Sequence, residues 1–314
     1  DLSALFAVLI VTILLWRGTN TTARVENVLV IGKVLVILIF IGVGLTAIHP
    51  ANYVPFIPAH KPGTDFGGWQ GIFAGAAQIF LAYIGFDSIA ANSAEAKDPK
   101  KTMPRGIIGS LVIATILFVT VALVLVGMFH YSKYANNAAP AAWALLNSGH
   151  EFTSNLLSVV ALVGMFTAII GMMLAGSRLL YAFGRDGLLP KFLGKVNDKG
   201  LPNNALLVLS VIAILIGSVF SFTELAGLIS AGTLIAFIIV SLGVYALRPR
   251  EGKDIPVPGF KMPLYPVLPA LAALGSGFIF YQLDNQAKLY AFGWFVLGLI
   301  IYAAYGARHS KISR

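Results

Sequence analysis

Gly71-Ile72-Phe73-Ala74-Gly75-Ala76-Ala77-Gln78-Ile79-Phe80-Leu81-Ala82-Tyr83-Ile84-Gly85-Phe86-Asp87-Ser88 is the stretch on which the reading of this chain turns. It belongs to a hydrophobic span from about Gly71 to Glu95, long enough to cross a bilayer, whose middle holds a glycine and then a carboxylate. A charge at membrane depth costs roughly 2.5–3.5 kcal/mol on insertion scales, and such a charge is a functional-site candidate by default. Two readings are open. In the first the helix is discontinuous: carbonyls ending its first half face a cationic group, and Asp87 or Ser88 restarts the second half as an N-cap. In the second the helix is continuous, and Asp87 is masked by packing or faces the cytoplasmic side.

The rest of the chain has the character of this span. Of its 314 residues 58% are hydrophobic and 11% are charged, against about 25% charged in a soluble domain. With apolar segments of about 20 residues, that composition predicts an all-α polytopic membrane protein, read as one transmembrane domain over 1–314 with no soluble module. Net charge is +9. In a soluble protein this would hint at nucleic acid, but here the basic residues sit in short loops, so topology accounts for them and no nucleic-acid partner is expected. With no cysteine, thiolate catalysis and disulfides are excluded. His49, His60, His130, His150 and His309 all fall outside the spans, so no metal or other cofactor is expected within the membrane. The chain enters a hydrophobic run directly after Asp1, without a charged n-region or a small-residue cleavage site. That run is not read as a signal peptide, and the N-terminal part of a longer protein is expected to precede it.

Nine spans are predicted, at about 2–16, 25–48, 71–95, 105–129, 153–183, 203–220, 225–247, 263–283 and 288–306. Basic residues test the layout. Alternate loops hold Arg17 and Arg24; Lys97, Lys100, Lys101 and Arg105; Arg178, Arg185, Lys191, Lys195 and Lys199; Arg248, Arg250, Lys253 and Lys261; and Arg308, Lys311 and Arg314. The opposite loops hold only Lys61, Lys133 and Lys288. The positive-inside rule then predicts a chain that begins outside and ends in the cytoplasm. Ser221, Thr223 and Glu224 mark a tight turn, Asn136 to Pro140 another, and Pro256 to Pro266 an extended connector too rich in proline for helix.

Two ionisable side chains lie clearly inside spans, Asp87 and Lys33. Lys33 is nine residues past Arg24, roughly 13 Å along a helix, which strains simple snorkelling to the interface. Either it faces the bundle interior, its charge standing where a bound cation would be and its proton lost and regained during a cycle, or it snorkels or faces lipid. The small residues of the fifth and seventh spans are read mainly as helix-packing positions, with Thr167, Ser230 and Thr233 as candidate cavity-lining groups. No span carries paired carboxylates, a His-Glu-x-x-His pattern or a serine–histidine pair, so an enzyme is not expected. Nor is the ring of like charges of an ion channel visible.

Several stretches resemble the amino acid–polyamine–organocation transporters, in particular the bacterial relatives of cationic amino acid transporters. Tyr83-Ile84-Gly85-Phe86-Asp87, continued through Glu95-Ala96-Lys97-Asp98-Pro99 to Met103-Pro104-Arg105-Gly106-Ile107, resembles that family's sixth helix and following loop. Ser177-Arg178-Leu179-Leu180-Tyr181-Ala182-Phe183-Gly184-Arg185-Asp186-Gly187-Leu188-Leu189-Pro190 resembles the end of the eighth, and Tyr302-Ala303-Ala304-Tyr305-Gly306-Ala307-Arg308-His309-Ser310 the end of the last. The likeness extends over the whole chain and makes the nine spans helices four to twelve of twelve.

The resemblance implies a LeuT-like fold of two inverted five-helix repeats plus two further helices, present here in part, in the plasma membrane. It implies secondary active amino acid transport by alternating access, with protons as the coupling ion; the alternative is an amino acid or polyamine exchanger, or a fragment that does not itself transport. By the same likeness the substrate site is made by Phe80, Leu81, Ala82, Ile84, Gly85 and Asp87, with carbonyls around Leu81, Ala82 and Ile84 taking the substrate ammonium. Lys33 would occupy the place of a sodium ion and pair with Thr167 for proton coupling. The family's first and third helices are not matched by any part of this sequence, so half of the site is expected to lie elsewhere. The pocket side chains in view, Phe80, Leu81 and Met172, are apolar and favour neutral amino acids over arginine or lysine.

Overall fold

The computed structural model describes residues 2–18, 22–64, 66–86, 89 and 98–310. The described residues are helical almost throughout, and their one β feature is an isolated bridge between Glu251 and Ile255. Hydrocarbon offers backbone N–H and C=O groups no partners, so a spanning chain without a closed barrel must satisfy them within helices. The chain forms α1 (Leu2–Arg17), α2 (Thr22–Thr46), α3 (Gly68–Ile79), α4 (Pro99–Met128), α5 (Pro140–Asn147), α6 (Glu151–Arg185), α7 (Asn203–Val219), α8 (Phe222–Leu247), α9 (Val267–Gln282) and α10 (Asn285–Ile301), the last running into a π turn over Tyr302–Gly306. Five helices are long and apolar enough to cross a membrane: Asn27–Thr46, Pro99–Met128, Glu151–Arg185, Phe222–Arg250 and Asn285–His309. Leu5–Arg17, Asn203–Val219 and Val267–Gln282 are shorter apolar helices. Large apolar side chains lie outside the packed core along these helices, with Val240 67%, Leu215 60% and Ile116 60% exposed. That pattern suits lipid and would be an aggregation liability in water.

Several boundaries depart from the sequence reading, each for a local reason. α4 begins at Pro99, not after Pro104; a proline at the first position gives up only an N–H that a helix start leaves unpaired, and Pro104 then costs one internal bond. α9 begins at Val267 with Pro266 as its N-cap, and Leu264 at φ +51° keeps 263–266 out of the helix. α5 falls in a loop read only as a turn. At eight residues it is too short to register as a span, yet it buries Ala144 and Leu145 completely. The turn at Ser221 is a capping box: Glu224 N–H donates to Ser221 Oγ at 3.3 Å and Ser221 N–H to Glu224 Oε2 at 2.8 Å.

The chain divides into two compact units. One comprises Ala59–Gly109 and Ala175–Arg314, the other Leu2–Pro58 and Ser110–Leu174. In the first, Ala77 of α3 packs with Ala231 and Leu234 of α8, Ala291 of α10 and Leu283. Gly227 permits the close approach of α8 and α10, since a Cβ there would sit 2.8 Å from that of Ala287. In the second, Phe40 and Ile41 of α2, Val124 and Met128 of α4, and Ala144 and Leu145 of α5 form the core. Side chains converge on the carbonyls of the last two turns of α4. Asn52 Nδ2 donates to Gly127 O at 2.8 Å and Met128 O at 3.1 Å, Tyr53 to Leu123 O at 2.8 Å, and Tyr134 to Leu125 O at 2.6 Å. Burial pushes the Tyr134 hydroxyl up to about 12.

Candidate functional site

In the first unit the expected break is present. α-Helical structure ends at Ile79, the chain tightens into a 3₁₀ turn over Phe80–Tyr83, and Ile84 is extended at φ −67°, ψ 133°. Gly85 follows at φ +134°, a conformation that only glycine adopts at little cost. The sequence places these residues within one apolar run, so helical hydrogen bonding stops inside it. Asp87 and Ser88, and with them the restart of the second half, lie outside the described residues.

The turn is partly self-satisfied. Ile84 N–H donates to Leu81 O at 3.1 Å, so a carbonyl offered to an ammonium already accepts one bond. A carbonyl has two lone pairs, so such an oxygen can accept a second bond. Leu81, Ile84 and Gly85 are half-buried and Ala82 is exposed. Phe80 packs on the Ala77–Ala231–Leu234 core. Phe237 of α8 touches both sides of the turn, lying 6.2 Å from the Phe80 ring at 77° and 5.5 Å from the Phe86 ring at 41°. Sequence reasoning missed Phe237, because one aromatic in an apolar span carries no mark that separates a brace from ordinary core. Three aromatic rings and an interrupted helix make an apolar surface beside main-chain polar groups, an arrangement able to take a small molecule with one charged end.

In the second unit Lys33 of α2 meets Thr167 of α6. Lys33 Nζ donates to Thr167 Oγ1 at 2.8 Å, and Thr167 Oγ1 donates its own proton to Gly164 O at 2.9 Å. Thr167 is buried at 8% exposure, and a Cβ on Gly164 would come within 3.1 Å of Lys33 Cδ, so the glycine gives the lysine stem its path. The threonine proton is committed to the backbone, so its oxygen presents lone pairs to Lys33. Both an ammonium and a neutral amine keep N–H groups to donate, so this contact survives either protonation state. The bond is stronger from the ammonium, whose charge assists it. Among the described residues no carboxylate pairs with Lys33. Ser230 is 2% exposed beside buried Ala231, in keeping with a packing role. Met172, named beside Phe80 for the apolar pocket, belongs to this second unit.

A family model described as amino acid permease matches residues 2–305. The branched-chain amino acid permease BcaP of Lactococcus lactis is 59% identical over 311 residues, covering 99% of this chain and 67% of that protein. BcaP of Bacillus subtilis is 36% identical, covering 100% of this chain and 66% of that protein. The methylthioribose transporter of Bacillus subtilis is 34% identical, with coverage of 100% and 66%. The chain thus spans about two thirds of the length of these relatives. It belongs to the amino acid permease family of the amino acid–polyamine–organocation superfamily. That is a family of multi-pass membrane transporters, not of enzymes.

Proposed function

We propose that this chain supplies helices four to twelve of a secondary active amino acid transporter with a LeuT-like inverted repeat, working by alternating access. The observation that carries the proposal is the unwound turn at Ile84–Gly85 inside an apolar stretch, since irregular backbone at membrane depth is tolerated where it lines a cavity or is buried in protein. The substrate ammonium is assigned to carbonyls of the turn around Leu81, Ala82 and Ile84, with Phe80, Gly85 and Asp87 bordering the site. The coupling ion is the proton, carried by Lys33 against Thr167; an acceptor that the amine keeps in both protonation states, and that holds the ammonium more strongly, supports the role. The chain's N-terminus is assigned to the outside and its C-terminus to the cytoplasm, on the loop distribution of lysine and arginine.

The rings of Phe80, Phe86 and Phe237 favour an aliphatic substrate side chain, and the relatives named as branched-chain permeases point the same way. The test is uptake of labelled leucine by the purified full-length protein in proteoliposomes under an imposed pH gradient. Isoleucine and valine should compete, while arginine, putrescine and methylthioribose should not. Uptake that ignores the pH gradient and instead requires an internal amino acid would establish exchange in place of symport.

A further inference from the structure

Within the first unit, the start of α4 and the connector before α9 enclose an open basin of about 480 Å³. Lys100, Lys101 and Arg105 line one wall, with Ile108 one turn further along the helix, and Gly259 and Phe260 form the other. The charges converge because Lys101 and Arg105 are four residues apart and share a helix face next to that of Lys100. The walls meet closely: a Cβ on Gly259 would lie 2.5 Å from Lys100 Cβ and 3.0 Å from Lys100 O, so the connector reaches this position only because residue 259 has no side chain.

Among the described residues the cations have little to balance them. Lys101 reaches Asp98 at 3.8 Å, but both side chains are exposed, and such pairs are weak. The connector's acids are engaged elsewhere: Glu251 lies 3.7 Å from Arg248, and Asp254 accepts from Arg250 Nε at 2.7 Å, a bond that holds its carboxyl below the usual carboxylate range. Beside the charges are exposed apolar groups, Ile108 at 51% and Phe260 at 46%. Three cations with apolar surface on a membrane-length helix match a ligand that carries its negative charge on an acyl-bearing body.

We propose that this basin binds the phosphate of an anionic phospholipid, with Lys100, Lys101 and Arg105 on the phosphate oxygens and Ile108 and Phe260 against the start of an acyl chain. The shared chemistry is a phosphate group; the apolar half of the basin selects the lipid over the free ion. Basic pockets between transmembrane helices take acidic headgroups in this way, each lysine or arginine strengthening attraction about fivefold.

The experiment counts lipid retained by the purified full-length protein in native mass spectrometry, titrating phosphatidylglycerol against phosphatidylcholine, with inorganic phosphate as competitor. The wild type should retain phosphatidylglycerol preferentially, and inorganic phosphate should not displace it. Lys100→Gln/Lys101→Gln/Arg105→Gln together should weaken retention about 100-fold, whereas Lys191→Gln/Lys195→Gln/Lys199→Gln, which removes equal charge outside the basin, should not. If the first triple variant does not purify, Arg105→Gln alone is read, with about fivefold weaker retention expected. Unchanged retention in the basin variants, equal loss in the control, or displacement by inorganic phosphate would each overturn the proposal.

Discussion

Lys33 shows how much one residue can require of its surroundings. An amine placed about 13 Å along a membrane helix from its flanking arginine needs an acceptor, and the structure supplies the Thr167 hydroxyl at 2.8 Å, with Gly164 clearing the way. Removing the acceptor leaves a part-buried donor unsatisfied, at about 1 kcal/mol, the low end for a buried group. Thr167→Val, nearly the same shape without the oxygen, is therefore expected to lower uptake about tenfold and displace its pH profile, while Thr167→Ser stays near wild type. Lys33→Ala should leave uptake indifferent to pH. A Thr167→Val protein with a wild-type pH profile would remove the pair from the coupling step.

Among the elements, the interrupted helix is the one whose geometry needs outside support. A 3₁₀ turn followed by an extended residue and a glycine at φ +134° forgoes α-helical bonds, and Phe237 braces both of its sides. Aromatic pairs of this kind contribute about 0.5–1.5 kcal/mol each beyond the area they bury. Phe237→Ala should therefore slow leucine uptake by about tenfold or more with little loss of folded protein in the membrane, and Phe237→Tyr should retain most activity. Equal uptake by Phe237→Ala and wild type would show that the brace is not needed. The break was one of two readings of the sequence, because glycine and a carboxylate in mid-span disfavour a continuous helix without excluding one, and the 3₁₀ turn and Gly85 decided it. The brace was not legible in the sequence: Phe237 is more than 150 positions from Phe80 and sits in an unmarked apolar run. Other elements were hidden for local reasons. α5 is shorter than any membrane span, and α4 starts ahead of a proline that ordinarily ends or precedes a helix.

At the scale of the molecule, the question is which way the chain faces. Its loops alternate between basic-rich and basic-poor, and the absence of cysteine permits a direct test. Cysteine introduced at Lys133→Cys should react with a membrane-impermeant maleimide on intact cells, and Lys195→Cys only after the membrane is opened. The reverse labelling would invert the proposed orientation.

The sequence by itself determined that this is an all-helical membrane protein, which span holds a candidate break, and which lysine lies deep in a span; the structure decided that helix gives way to a turn there. Hydropathy and backbone preference act over a few residues and are written along the chain. Resemblance to a family, not spacing, linked Lys33 to Thr167. Tertiary structure decided that they lie in contact, that Phe237 spans the break, and that the α4 start and a distant connector enclose three cations. Those contacts join residues far apart in the chain, so they depend on how the helices pack.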